Sequence, residues 1–254
     1  MNSLVILEKS GPVATITLNR PKRHNSLVPE LLNDLVYTVE SLRGAADVRA
    51  MILQANGKSF STGGDVQAFY DHRPALETYS KQVVGLLNQA IISFVTLPFP
   101  IVAAVHGIVT GGSIGLVLAS DIVLVAPEAT FTPYYSTVGY SPDGGWTAML
   151  PALIGVRRAA EVLILDRPIT ASDAVKWGIA NRVVSADTIR DQAQATAAAI
   201  VRHVPGSLRR SKALLWGSPD ALADRLEEER RQFIQQIMTA EAQEGMAAFL
   251  KRRK

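Results

Sequence analysis

The chain has 254 residues, 48% of them hydrophobic, with no cysteine and a formal net charge of +3. Such a length and composition support a substantial buried core, and the lack of cysteine excludes disulfides, thiolate catalysis and cysteine-ligated metals. The small positive excess suits an acidic small molecule and is too weak and dispersed to point to nucleic acid.

At the start, residues 1–9 lack a basic stretch followed by a long apolar one, so no secretory signal is expected. Leu4-Val-Ile-Leu7 and the alternating Val13-Ala-Thr-Ile-Thr-Leu18 are predicted to pair as strands across the Gly11-Pro12 turn. A helix follows, with Leu31, Leu32, Leu35, Val36, Val39 and Leu42 on one face and Gly44 placed to end it. Ala50-Met-Ile-Leu53 reads as a short buried strand. A glycine-rich turn and a helical stretch over 76–97 come next, broken by Pro98 and Pro100.

Residues 100–120 are apolar enough to be weighed as a membrane helix. They also contain His106, Thr110, Ser113 and the glycines Gly107, Gly111, Gly112 and Gly115. A buried strand, a tight turn and a buried helix fit them better, and no membrane association is expected. Ile101-Val-Ala-Ala-Val105 and Ile122-Val-Leu-Val-Ala126 then read as buried strands flanking a helix, and the alternation of strands and helices indicates an α/β core. From about Gly155 onward the chain reads as mostly helical. Ser218-Pro219-Asp220 supplies a capping serine, a first-turn proline and an acid at the positive end of a helix. Over 222–238 the charges of Glu227-Glu-Glu-Arg-Arg231 are expected to form a solvated face opposite Leu226, Phe233, Ile234 and Ile237.

Three segments carry the chemistry. In Phe60-Ser-Thr-Gly-Gly-Asp65, adjacent glycines let the backbone approach a ligand closely. In Gly107-Ile-Val-Thr-Gly-Gly-Ser113, glycines open a helix whose first N–H groups have no intrahelical partner. The third, Ser141-Pro-Asp-Gly-Gly145, reads alone as a turn.

Together and in this order, the three segments resemble the crotonase (enoyl-CoA hydratase/isomerase) superfamily, a likeness that runs from Ile16 to Phe249. The resemblance implies a spiral of strand–strand–helix units over residues 1–195 and a C-terminal helical region over 196–254 that packs trimers, often paired into hexamers. It also implies an acyl-CoA substrate, no cofactor and a cytoplasmic setting. The N–H groups of Gly64 and Gly112 match the family's two oxyanion donors, with Ser61, Thr62, Gly63 and Asp65 around them in the substrate-binding turn and Asp65 serving as a structural acid. Lys22 and Arg23, within Arg20-Pro-Lys-Arg-His-Asn-Ser26, match the loop along the nucleotide end of CoA. Phe249 and Arg252 match the C-terminal adenine and phosphate contacts, often made by a neighbouring subunit; a frayed basic tail is the other reading of that end.

The departures are informative. Family hydratases carry two catalytic glutamates, and the matching positions here hold Gly115 and Tyr135. Hydration needs water held between two polar groups; glycine offers none, and a tyrosine is a poor base near neutral pH. The one acid in the loop, Asp143, matches the acid of some enoyl-CoA and ring-epoxide phenylacetyl-CoA isomerases. It is expected among apolar neighbours that raise its basicity, with Tyr135 shaping or polarising the acyl pocket. An isomerase is therefore the expected function. A hydratase, a dehalogenase or hydrolase, and a non-catalytic acyl-CoA binder stay open. Family dehalogenases draw a histidine from the helix before the oxyanion-hole strand, and none of His24, His72, His106 and His203 lies within 73–105.

Overall fold

The computed structural model describes residues 3–252. Two strands, β1 (Val5–Ser10) and β2 (Val13–Leu18), form an antiparallel hairpin about Gly11. From β2 the sheet continues in parallel through β3 (Ala50–Ala55), β4 (Ile101–Val105), β6 (Ile122–Val125) and β9 (Arg182–Val183). A second, three-stranded sheet contains β5 (Ile108–Thr110), β7 (Thr130–Thr132) and β8 (Ile169–Thr170) in that order. Two successive turns of the chain thus lay one strand in the large sheet and the next in the small one. β4 is followed by β5 and then the short helix α4 (Ile114–Leu118), and β6 by β7 and then α5 (Tyr135–Val138). This is the expected strand–strand–helix spiral.

The inner strands β2, β3, β4 and β6 of the large sheet are buried on both faces, which explains their largely apolar sequences. Val13, Ala50, Ile52, Val102, Ala104 and Leu124 face α9 (Ile189–Val201), which presents Ile189, Ala193, Ala197 and Ile200. The alternate residues Ala14, Met51, Leu53, Ala103, Val105 and Val123 enter the main core. There they meet α1 (Pro29–Arg43), whose apolar stripe is buried as predicted, and α3 (Leu76–Thr96). The expected change of region at residue 195 falls inside α9.

The remaining helices are α2 (Val66–Asp71), α6 (Leu150–Ile154), α7 (Val156–Ile164), α8 (Ala171–Trp177), α10 (Pro205–Trp216), α11 (Pro219–Ile237) and α12 (Ala240–Lys251). Helix α11 lies along α3, and α12 returns to α2 and α5, the elements around the glycine motifs. No helix among the described residues is long and apolar enough to cross a membrane.

Candidate active site

The first glycine motif runs beside the second. The Ser61 N–H donates to the Ile108 carbonyl (3.1 Å) and the Thr110 N–H donates to the Ser61 carbonyl (3.1 Å). Ser113 Oγ lies within hydrogen-bond distance of the Ser61 and Thr110 carbonyls at 3.1 and 2.7 Å. At Gly63, with φ +68°, a side chain would begin 2.4 Å from the Thr110 carbonyl oxygen, so only glycine permits this approach. The Leu27 N–H donates to the Gly63 carbonyl and the Asp65 N–H donates to the Leu27 carbonyl, so these bonds straddle Gly64 and leave its own N–H turned away from Leu27. Gly112 occupies the first turn leading into α4, where helix geometry provides no acceptor for an N–H. Both glycines line a cavity of about 560 Å³.

Asp143 enters this cavity from the loop after α5 and is 6% exposed. Its two carboxyl oxygens would each lie 2.9 Å from a Cβ built on Gly112. Gly144, with φ +65°, packs its backbone onto Gly112: a Cβ there would stand 2.3 Å from the Gly112 carbonyl oxygen. The acid and the second glycine motif are therefore locked together by backbone contact. The Tyr135 hydroxyl donates to Asp143 Oδ1 at 2.5 Å.

A family model described as enoyl-CoA hydratase/isomerase matches residues 8–254. The chain belongs to the enoyl-CoA hydratase/isomerase family. The short-chain-enoyl-CoA hydratase of Clostridium acetobutylicum is 30% identical over 253 residues, covering 98% of this chain and 95% of its own. The 1,2-epoxyphenylacetyl-CoA isomerase of Escherichia coli K12 is 30% identical over 255 residues, covering 100% and 97%. A crystal structure of an enoyl-CoA hydratase from Bacillus halodurans superposes with a TM-score of 0.91 at 23% identity, over 97% of this chain and 100% of that one, and establishes the crotonase fold. A hydratase, a dehalogenase and an isomerase each stand at 30% identity, so identity does not choose among their reactions.

Within this family member the electrostatics single out Asp143. Burial pushes its carboxyl up; the Tyr135 hydrogen bond pulls the other way, the charge of Glu229 adds to the rise, and the result is about 7. Tyr135 is itself pushed well above the ordinary phenol value, first by burial and then by the Asp143 charge, so it acts as a donor. Its hydroxyl is thus spent on Asp143, a role the sequence did not reveal. At Gly115 a Cβ would meet Ile91 Cδ1 at 2.4 Å and the Gly144 carbonyl oxygen at 2.5 Å. The position that matches a hydratase glutamate has no space for any side chain.

The other predicted residues divide. Thr62, Lys22 and Arg23 line the cavity, and so do Phe249 and Leu250, contributed by α12 of the same chain. Ser61 is fully buried, and its hydroxyl donates to the Asn25 carbonyl; like Gly63, it supports the turn from behind and does not line the cavity. Arg252 caps the end of α12 outside the lining.

Asp65 has a structural role. It accepts from the Ala68 N–H as the α2 N-cap, from Arg20 at 3.0 Å, from Arg23 at 3.1 Å and from Ser26 Oγ at 3.1 Å. Burial alone would raise its pKa, but the two guanidiniums hold it below the usual carboxylate range. This acid pins the 20–26 loop that presents Lys22. The buried Asn25 amide completes the clamp by donating to the Asn56 and Ser59 carbonyls at 2.8 and 2.9 Å.

Sequence reasoning missed one functional neighbour. Glu229, expected on a solvated face, is 4% exposed. Its carboxylate accepts from the Gly145, Thr147 and Ala148 N–H groups at 2.7, 2.7 and 2.8 Å and from Thr147 Oγ1 at 2.6 Å. The signal was present in the spacing: Leu226, Glu229, Phe233 and Ile237 share one helical face, and the other three are buried and apolar.

Proposed function

We propose that the protein is an enoyl-CoA isomerase that moves a double bond from the 3 to the 2 position of an acyl thioester. Asp143 as carboxylate takes a proton from the carbon beside the thioester carbonyl. The resulting dienolate places negative charge on the thioester oxygen, where the Gly64 and Gly112 N–H groups receive it. One such donor contributes about 3–4 kcal/mol to lowering the barrier. Asp143, now protonated, returns the proton to the carbon two atoms further along. A group titrating near 7 suits both halves of this shuttle.

The observation that carries this reading is the filled space at Gly115 beside Asp143, a buried acid on the cavity wall with no cation paired to it among the described residues. Of the other buried acids, Asp65 is committed to Arg20, Arg23, Ser26 and the Ala68 N–H and Glu229 to the 145–148 turn, so neither is free to activate water, which disfavours hydration. For nucleophilic dehalogenation, a histidine is expected from the helix before β4, and α3 contains none. The CoA moiety is assigned to the side of Lys22, Arg23 and Phe249, with Arg252 contributing in an assembled trimer or hexamer. No cofactor is needed. A related ring-epoxide isomerisation is the second reading, favoured by the aromatic wall of the cavity: Phe69 packs edge-on to Tyr140 at 6.0 Å, and Phe233 lies 5.4 Å from Tyr140.

The test incubates the protein and Asp143→Asn with a 3-enoyl-CoA, with crotonyl-CoA hydration measured alongside. Isomerisation lost in the variant, with negligible hydration, is the expected result. Vigorous hydration, or isomerisation that survives the substitution, would refute the single-acid shuttle. Binding of acyl-CoA without solvent deuterium exchange beside the thioester would identify a non-catalytic binder.

A further inference from the structure

Glu229 reaches the reacting groups through the turn it holds. Its carboxylate gathers the N–H groups of Gly145, Thr147 and Ala148, which flank Trp146 and follow Asp143 by two to five residues. Trp146 is fully buried, and its indole N–H donates to the Gly111 carbonyl at 2.8 Å. In a trans peptide the carbonyl and the following N–H point in opposite directions. Fixing the Gly111 carbonyl therefore fixes the direction of the Gly112 N–H. The same turn carries Gly144, whose backbone rests on Gly112.

We infer that Glu229 is a positioning residue that sets both the catalytic acid and one oxyanion donor, coupling helix α11 to the chemistry. Isolated backbone N–H groups in a buried turn need acceptors, but two or three carbonyls would satisfy them equally well. One carboxylate serving four donors fixes the whole turn as a unit and places a negative charge near Asp143. The other titratable group against Asp143 is Tyr135, from α5. On α11, Arg225 lies one turn before Glu229 and donates to the Thr147 carbonyl (2.8 Å), while Arg230 and Arg231 pair with Glu227 and Glu228.

This inference rests on the reading of Asp143 as the acid, so its test needs a measurement independent of isomerisation. The Asp143 carboxyl band, identified by its loss in Asp143→Asn, is followed by infrared difference spectroscopy against pH. Solvent deuterium exchange beside the thioester of an acyl-CoA reports enolate formation. Glu229→Gln removes the charge, and the Asp143 midpoint is expected to fall by roughly one pH unit. Glu229→Asp keeps the charge but cannot span all four donors; exchange is expected to slow tenfold or more with the midpoint near its original value. An unmoved midpoint in folded Glu229→Gln, or undiminished exchange in folded Glu229→Asp, overturns the inference. If Glu229→Gln does not fold, Glu229→Asp decides alone. A wild-type protein that titrates as expected but neither isomerises nor exchanges refutes the proposed reaction and leaves the effect of Glu229 on Asp143 measurable.

Discussion

Asp143→Asn is expected to stabilise the protein at alkaline pH while abolishing its activity. The Asp143 carboxyl titrates near 7 in the fold and near 3.8 when free. A carboxyl raised in this way contributes stability that is fully present below 3.8 and lost as pH rises through 7, because folding then requires a buried charge. At roughly 1.4 kcal/mol per pH unit, the gap amounts to about 4 kcal/mol. Asparagine has the same shape, can still accept from Tyr135 and never ionises. Urea unfolding of both proteins, followed by tryptophan fluorescence from pH 4 to 8.5, isolates the contribution, since other titrating groups cancel in the difference. The two should differ little at pH 4, and the variant should gain up to about 4 kcal/mol by pH 8. A difference that is flat with pH, or a variant less stable at pH 8, would show that Asp143 is not held as a strained, uncharged-favouring acid.

Gly112→Ala would bring a methyl within 2.9 Å of both Asp143 oxygens and 2.6 Å of Leu87 Cδ2. We expect isomerase kcat to fall at least roughly a hundredfold, with a stability loss of about 1–3 kcal/mol; near-normal turnover would contradict the placement of acid and donor. Gly115→Glu restores the residue type of a hydratase but collides with the Gly144 backbone. It should cost about 3 kcal/mol or more and confer no crotonyl-CoA hydration, and a folded, hydrating variant would disprove the steric argument. On the far side of the fold, Lys212 is buried and donates to the Phe94 and Phe99 carbonyls and to Asp121 Oδ2 at 2.9, 3.2 and 2.8 Å. Lys212→Met strands the Asp121 charge and should lower unfolding free energy by about 3–5 kcal/mol without changing kcat in the folded protein; a loss below about 1 kcal/mol would mean the pair is effectively solvated.

Strands buried on both faces read plainly as apolar runs, and the α1 stripe reads as a helix because six leucines and valines recur with its period. The strands β5, β7 and β8 escaped notice for the opposite reason: with two or three residues each, they are defined by partners distant in sequence. That Gly64, Gly112 and Asp143 meet in one cavity was legible because their neighbours form motifs, and the close contacts at both glycines leave little room for a side chain. The Tyr135–Asp143 hydrogen bond was not, since it depends on the loop between them folding back on itself. Glu229 was obscured by its charged neighbours, although its place on the apolar face of α11 distinguished it from Glu227 and Glu228, whose side chains pair on the surface.

The departure from the hydratase pattern is therefore not confined to one side chain. Gly115 leaves room for Ile91 and for the Gly144 carbonyl; Gly144 in turn rests on Gly112; and Gly112 leaves room for the Asp143 carboxyl. Each small residue makes way for the next group, so the space a side chain at 115 would need is occupied by Ile91 and by the loop that brings Asp143 to the cavity. A glutamate could not be placed at 115 unless Gly144 moved, and moving Gly144 would displace Asp143. On this packing a glutamate at 115 and Asp143 in its present place exclude each other, and the first could be accommodated only by rebuilding the 141–148 turn together with the Glu229 carboxylate that holds it.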